Sequence, residues 1–223
     1  MSSAPVFSSA AFEFLPDLEA NNNREWFNAN KPRFQDLLER PFIALLEALS
    51  NRLVDAKRPI YGGKQTLFRM NRDTRFSDDK SPYKTNLSGV LTPSGTKSES
   101  TGLLYIQLGA AGGFSVSGYY NLSPKQLGPM RDAMIEQPAR FESVLKSLSD
   151  SGRAFDTSMS LSSMPKGFTE HGDHPFADYI KLKSLMVRED LPKAAWLDGS
   201  CVDILEGLAR DTMELLSFTQ PGR

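Results

Sequence analysis

Apolar residues recur every three or four positions through the first third of the chain, most regularly between Phe34 and Leu53. This spacing brings them onto one face of a helix, as expected when that face packs against a core. Asn23 is placed to cap a helical turn, and Pro41 should kink the long helix or divide it. The large aromatic residues of this helical third are expected to be buried: Trp26, Phe27, Phe34 and Phe42.

The period changes to two in the middle of the chain. Apolar and polar residues alternate over residues 104–108 and again over residues 114–117, and the glycine-rich residues 109–113 between them suit a hairpin turn. Residues 87–92 and 68–74 have the character of two further strands. The pattern therefore predicts an antiparallel sheet of about four or more strands.

The helical period returns after the sheet. Ser123 and Pro124 suit a helix cap and a first-turn proline, and apolar residues continue at helical spacing to Leu148. A short helix is predicted over residues 176–185 and a closing helix over residues 202–216. We therefore predict an α+β fold, in which helices from the N- and C-terminal parts of the chain pack against the antiparallel sheet.

Length and composition fit a globular protein. The chain has 223 residues, of which 39% are hydrophobic and 24% are charged, and these shares are close to the average for globular proteins. A chain of this length can bury a core without disulfides, and no repeat or change of composition divides it. We expect residues 1–223 to form a single α+β domain.

Charge and apolar patterning exclude several classes of protein. A net charge of −1 gives no overall field that attracts nucleic acid or an anionic membrane, so any anion binding must be local. No apolar run approaches the roughly 20 residues of a membrane-spanning helix, and the first residues lack the features of a secretory signal. The single cysteine, Cys201, cannot form an internal disulfide and fits a reducing compartment. We expect a cytoplasmic protein without membrane contact.

The most informative stretch is residues 68–86, which we call the charged segment. Its cations are Arg69, Arg72, Arg75, Lys80 and Lys84, and its carboxylates are Asp73, Asp78 and Asp79. A packed core does not need this density of charge, whereas an anion-binding pocket or a structural ion-pair network does. Guanidinium groups present forks of donors that match carboxylate or phosphate oxygens.

The charged segment has two interpretations. Neighbouring Arg and Asp residues often pair with one another and hold a loop in place without doing any chemistry. Five cations outnumber three carboxylates, however, whereas a self-neutralising network usually balances, so the surplus favours a ligand. In the ligand interpretation the three arginines hold an anion, the two lysines close over it, and Asp73 or Tyr83 moves a proton as the catalytic group.

Two functions from different classes follow. The first is an enzyme or a binding protein for a small anionic metabolite, phosphorylated compounds included. The second is a non-catalytic interaction module that binds nucleic acid or an acidic protein segment. Tyr105, Tyr119 and Tyr120 could stack bases, but the net charge argues against nucleic acid. The sequence indicates neither a cofactor nor an oligomeric state.

No metal site is predicted. His171 and His174 are the two histidines of the chain and lie with Asp173 in a loop at Gly172. Two imidazoles and one carboxylate could bind a metal, but no further Cys or His ligand stands near them. The residues before Pro175 more often brace a turn.

Several motifs resemble those of a known family. They are Asn22-Asn23-Arg24-Glu25-Trp26-Phe27, Arg72-Asp73-Thr74-Arg75-Phe76-Ser77 followed by Asp79 to Asn86, Gly118-Tyr119-Tyr120 before Leu122-Ser123-Pro124, and Pro165-Lys166-Gly167-Phe168 before His174-Pro175. Together they resemble the DUF2461 family of uncharacterised proteins, from about Phe12 to past Leu185. The resemblance implies no activity and no catalytic residues, because none are assigned to the family.

Overall fold

Helices flank an antiparallel sheet in the chain, which confirms the predicted α+β class. A computed structural model describes residues 6–99, 102–120 and 122–218. The helices are α1 (Ser9–Ala20), α2 (Arg24–Phe34), α3 (Arg40–Arg52), α4 (Pro124–Glu136), α5 (Pro138–Asp150), α6 (Ala177–Ile180), α7 (Lys193–Asp198), α8 (Cys201–Asp211) and α9 (Met213–Phe218), with a π turn at Gln35–Glu39 and 3₁₀ turns at Lys64–Thr66 and Thr169–His171. Within the described ranges, no helix has both the length and the apolar character needed to cross a bilayer.

The sheet has four strands in the described part of the chain. They are β1 (Leu87–Leu91), β2 (Leu103–Gly109), β3 (Gly112–Tyr119) and β4 (Leu185–Pro192), paired in that order and antiparallel throughout. Strands β2 and β3 form a hairpin in which Gly109 and Gly112 lie opposite each other, as the glycine-rich turn predicts. On β1, a Cβ at Gly89 would lie 2.9 Å from Leu46 Cδ1 and 3.0 Å from Phe42 Cε1, so glycine lets α3 approach the sheet.

One face of the sheet packs against the helices. Along β2, Leu104, Ile106 and Leu108 are fully buried, while Tyr105 and Gln107 alternate with them and are half-buried on the opposite face. We call this opposite face the outer face. The buried apolar side chains form a continuous core to which each of the nine helices named above contributes, and burial of that surface is the main source of stability.

The predicted strand over residues 68–74 is wrong. Leu67 pairs with Gly89, and the Phe68 N–H donates to the Ser88 carbonyl at 2.9 Å, so the chain follows the free edge of β1 as far as Phe68. Beyond this point the Met70 carbonyl and the Arg72 N–H pair with Lys84 and Pro82 of the charged segment instead of with β1. Because each backbone group needs one such partner, the local pairing replaces a fifth strand of the sheet.

Strand β4 was not visible in the sequence pattern. The sequence predicts a short helix over residues 176–185, but α6 ends at Ile180 and β4 begins at Leu185. The first three residues of β4 are all buried, and Glu189 faces the helices, where it pairs with Arg153. A charged residue at an inward position hides the alternation that marks a strand.

Candidate functional site

The charged segment folds back on itself as a short two-stranded ladder. The Lys84 N–H donates to the Met70 carbonyl at 2.8 Å, and the Arg72 N–H donates to the Pro82 carbonyl at 2.9 Å. A loop over residues 73–81 joins the two halves, and most of its side chains are exposed. The ladder therefore places Arg72 beside Pro82 and Lys84 beside Met70, while the loop carries the remaining charges outwards.

Tyr83 fastens the charged segment to α2. Its ring stacks on Phe27, with the ring centroids 4.0 Å apart. The Asn22 side chain donates to the Tyr83 carbonyl at 2.9 Å and accepts from the Tyr83 N–H at 3.1 Å. The Tyr83 hydroxyl forms no hydrogen bond within the described residues, although the side chain lines a cleft. These contacts join two motifs that are about 60 residues apart.

Two of the five cations form ion pairs. Arg75 donates from Nε to Asp73 Oδ1 at 3.0 Å and from Nη2 to Asp73 Oδ2 at 2.7 Å, and this contact lowers the pKa of the Asp73 carboxyl. Arg72 pairs with Asp79 and also donates to the Ser81 carbonyl at 3.2 Å. Hydrogen bonds from Ser81, together with Arg72, lower the pKa of Asp79 to about 2. Both arginines thus stabilise the loop.

The other three cations have no carboxylate within ion-pair distance in the described part of the chain. Lys80 donates from Nζ to the Thr74 carbonyl at 3.1 Å. Lys84 Nζ lies 5.6 Å from the centroid of the Phe68 ring. Burial lowers the pKa of Lys84, and the positive charge of Arg69 lowers it further. Arg69 and Lys84 are therefore neighbouring cations that form no ion pair, and the Asp73 carboxylate, which pairs with Arg75, interacts with Arg69 only at longer range.

The charged segment borders two clefts. The first, of about 280 Å³, we call the polar cleft; it is lined by Glu19, Asn22, Arg72, Asp79, Ser81, Tyr83, Lys84, Thr85 and Asn86. The second, of about 310 Å³, we call the basic cleft; it is lined by Lys31, Lys64, Arg69 and Lys97, by Glu39, Gln35 and Asn71, and by Phe27, Phe34, Leu67, Phe68 and Met70. Cations and carboxylates balance in the polar cleft, whereas cations dominate in the basic cleft.

The predicted site residues do not converge on one place. Arg72, Tyr83 and Lys84 line the polar cleft, and Arg69 lines the basic cleft. Asp73, Arg75 and Lys80 lie in the exposed loop and line neither cleft. The catalytic roles of Asp73 and Tyr83 stay predictions. Arg75 holds Asp73 in its charged form, which makes that carboxylate a weaker base.

Sequence reasoning missed the residues that complete the two clefts. Asn22 belongs to the first of the family-like motifs, but the sequence does not show that its side chain contacts Tyr83. Lys31, Lys64 and Lys97 are isolated charges in the sequence, and each looks like an ordinary exposed lysine. Nothing in the local pattern signals that they gather around Arg69, because only the fold brings them together.

A row of three rings crosses the outer face of the sheet, and we call Phe68, Tyr105 and Phe114 the aromatic row. The Phe68 and Tyr105 centroids lie 6.2 Å apart, and those of Tyr105 and Phe114 lie 6.0 Å apart. Lys84 lies over Phe68 at one end, and Arg188 Cζ lies 4.0 Å from the Phe114 centroid at the other. The row is therefore flanked by cations.

The remaining candidates have structural roles. His174 Nδ1 accepts a hydrogen bond from the Phe176 N–H at 3.1 Å and braces the turn. Burial raises the pKa of the Cys201 thiol to about 12, which leaves it unreactive. The described residues contain no group of three or more His, Cys, Asp or Glu arranged to hold a metal ion. Tyr119 is buried, and its hydroxyl donates to the Leu216 carbonyl at 2.9 Å.

A family model matches residues 10–218 of the chain; its description is "Conserved hypothetical protein (DUF2461)". No curated protein matches the chain. The matched range includes α2, the charged segment, both clefts and the aromatic row, so the candidate site lies wholly within it.

Proposed function

We propose that this chain, which belongs to the DUF2461 family, binds a small multivalent anion, such as a phosphorylated metabolite, beside the charged segment. One observation carries the proposal: Arg69 and Lys84 are neighbours, and neither forms an ion pair among the described residues, since the one carboxylate that interacts with Arg69, Asp73, is paired with Arg75. The cytoplasmic location expected from the sequence belongs to the same proposal, because phosphorylated metabolites do not cross membranes unaided.

An anion relieves an unfavourable arrangement of charge. Lys84 is partly buried, so its ammonium group has lost part of its hydration, and the positive charge of Arg69 adds repulsion. An anion between the two side chains replaces the lost hydration with charge-assisted hydrogen bonds, which are about twice as strong as neutral ones. Lys80, on the exposed loop, is the proposed third contact.

The paired arginines have a supporting role in this proposal. Arg72 and Arg75 hold the loop through Asp79 and Asp73, and each guanidinium has five donors, so some stay available to a ligand. The proton-transfer roles proposed for Asp73 and Tyr83 do not affect binding. The Tyr83 hydroxyl is the better placed of the two, because Tyr83 lines the polar cleft with Lys84.

Titration calorimetry with inorganic tripolyphosphate at fixed ionic strength tests the proposal. The double variant Arg69→Gln/Lys84→Gln should weaken binding by about tenfold or more, which corresponds to about 1.4 kcal/mol. The matched control is Lys125→Gln, because Lys125 is an exposed lysine on the surface of α4. Equal affinity of the double variant and the wild type, both with native circular dichroism spectra, contradicts the proposal.

The aromatic row favours a second function, a non-catalytic module that binds single-stranded nucleic acid. Neighbouring rings on an antiparallel sheet, with cations at both ends, are the arrangement on which successive bases stack. Tyr105→Leu and Phe114→Leu should then each weaken binding of a short labelled oligonucleotide by about 1–3 kcal/mol in fluorescence anisotropy. Tyr61→Leu is the control, since Tyr61 is exposed and lies outside the row. An acidic protein segment would bind to the cations and not to the aromatic row. If Tyr105→Leu and Phe114→Leu leave the affinity for the oligonucleotide unchanged, base stacking is excluded and an acidic protein segment becomes the favoured partner of the module.

A further inference from the structure

We infer that the basic cleft takes a nucleotide, with its phosphates among the cations and its flat base against the apolar floor. This inference rests on the proposed anion binding and names the class of ligand. Its basis is one juxtaposition: cations from four separate parts of the chain surround a patch of aromatic and apolar side chains.

The cations of the basic cleft converge only in the folded chain. Lys31 comes from α2, Lys64 from a 3₁₀ turn, Arg69 from the charged segment and Lys97 from the loop after β1. Lys97 is held in place, because its Nζ donates to the Leu67 carbonyl at 2.9 Å.

The charge of the basic cleft is largely uncompensated. Within the described residues, the side chains of Lys31, Lys64 and Arg69 form no hydrogen bond or ion pair, and Glu39 is the one carboxylate in the lining. Asp73 interacts with Arg69 from outside the lining, but it is paired with Arg75. A site with this surplus attracts a ligand that carries several negative charges, and Lys and Arg are the usual partners of phosphate oxygens.

The apolar floor of the basic cleft favours a ligand that has an apolar part as well as an anionic part. Phe27 and Phe34 are buried with centroids 5.4 Å apart, and the half-buried Phe68 ring lies in the same lining. An inorganic phosphate would leave the exposed part of the Phe68 ring in contact with water. A flat apolar body covers that part of the ring and gains about 25 cal/mol per Å² of apolar surface buried.

The size of the basic cleft restricts the ligand to a small molecule. A volume of about 310 Å³ is at the lower end of the range of ligand pockets. A single nucleotide is of this order of size and combines the two required parts, a polyanionic chain and a planar base. A longer chain of nucleotides would have to extend out of the cleft, towards the aromatic row.

Titration calorimetry with three compounds separates the two parts of the ligand. Tripolyphosphate carries only the anionic part, adenosine carries only the base and sugar, and ATP carries both. We expect ATP to bind about tenfold more tightly than tripolyphosphate and adenosine to bind more weakly than either. Lys31→Gln and Lys64→Gln should weaken the binding of both anions, whereas Phe68→Leu should weaken the binding of ATP more than that of tripolyphosphate. Lys125→Gln is the matched control, and thermal melts without ligand establish that each variant is folded.

Each result decides between the proposals. If tripolyphosphate binds and ATP binds no more tightly, the nucleotide inference is overturned and the proposed anion binding stands. If ATP binds more tightly but Lys31→Gln and Lys64→Gln have no effect, the site is not the basic cleft. If neither anion binds the wild type, both proposals fail.

Discussion

Lys84 shows how a single side chain depends on its surroundings. Burial and Arg69 lower its pKa, so the folded protein holds the proton of Lys84 less strongly than the unfolded chain does. Between the lowered pKa of the folded protein and the ordinary lysine value of 10.5, the chain therefore takes up a proton when it unfolds. The free energy of unfolding accordingly rises with pH in this range. The charge of Lys84 is a cost to the fold at neutral pH.

Lys84→Met should accordingly stabilise the protein in anion-free buffer. Removing the charge relieves its repulsion with Arg69 and its desolvation, and because the side chain is partly exposed we expect only a few tenths of a kcal/mol. The gain should be largest at pH 7 and shrink as the pH approaches 10.5, where the wild-type lysine loses its proton. Urea unfolding at several pH values measures it. A destabilised Lys84→Met would mean that the contact with Phe68 outweighs the charge.

Arg72 and Arg75 should differ in their effect on stability. Arg72 is mostly covered and reaches Asp79 and the Ser81 carbonyl, whereas Arg75 and its partner Asp73 are largely exposed. Arg72→Ala should therefore lower the melting temperature by about 2–4 °C. Arg75→Ala should lower it less, because an ion pair between exposed side chains contributes little to stability.

The pH dependence of the Arg72 effect provides an internal control. The pKa of Asp79 is about 2 in the folded protein, against an ordinary value of 3.8. Its stabilising contribution is complete above the ordinary value and is lost as the pH falls towards 2, so the difference between Arg72→Ala and wild type should shrink in that window. Equal melting temperatures of Arg72→Ala and Arg75→Ala at pH 7 would contradict the larger contribution to stability expected of Arg72.

At the scale of elements, the contact between α2 and the charged segment positions the candidate site. Asn22 occupies both backbone groups of Tyr83, and Phe27 packs on its ring. Phe27, Phe34 and Phe42 are buried as predicted, while Trp26 is half-buried. Helix α2 thus supplies both the support for Tyr83 and one wall of the basic cleft.

Asn22→Ala should loosen this attachment. Two hydrogen bonds to the Tyr83 backbone are lost, at about 1 kcal/mol each, so unfolding free energy should fall by about 1–2 kcal/mol. Hydrogen exchange of the Tyr83 amide should accelerate more than that of amides in β2. Asn28→Ala, at an exposed position of α2, is the control. Unchanged exchange at Tyr83 would mean that ring stacking alone holds the segment.

At the scale of the whole molecule, the continuous core runs from Phe7 to Phe218 and includes each helix named above. Because the buried hydrophobic residues of the described ranges form one contiguous cluster, we expect the elements that contribute to it to unfold together. We therefore keep the prediction that residues 1–223 form a single domain and expect one cooperative transition.

The two tryptophans allow a direct test of this cooperativity. Trp26 lies on α2 near the candidate site, and Trp196 is buried in α7 near the end of β4. Trp26→Phe leaves Trp196 as the fluorescent probe, and Trp196→Phe leaves Trp26. In each variant the fluorescence midpoint in urea should equal the midpoint by circular dichroism. Separate midpoints in either variant would indicate two units that unfold independently.

Local regularities were readable from the sequence. The β2–β3 hairpin follows from alternating residues on both sides of a glycine-rich turn, because a strand with one buried face needs only short-range alternation. Pro41 was expected to kink the long helix or divide it; instead a π turn at Gln35–Glu39 precedes it and Pro41 lies in the first turn of α3. The family resemblance was likewise carried by contiguous motifs.

Tertiary structure decided which partners these local elements take. Residues 68–74 have the composition of a strand, yet beyond Phe68 their backbone pairs within the charged segment. Leu185–Pro192 fills the fourth place in the sheet although Glu189 hides its period. The sequence likewise showed a surplus of cations without assigning the pairs. Arg72 and Arg75 are neutralised by nearby carboxylates, while Arg69 is joined by lysines from distant segments. Charge pairing depends on distance in space, and only the packing of α2 and the sheet edge sets those distances.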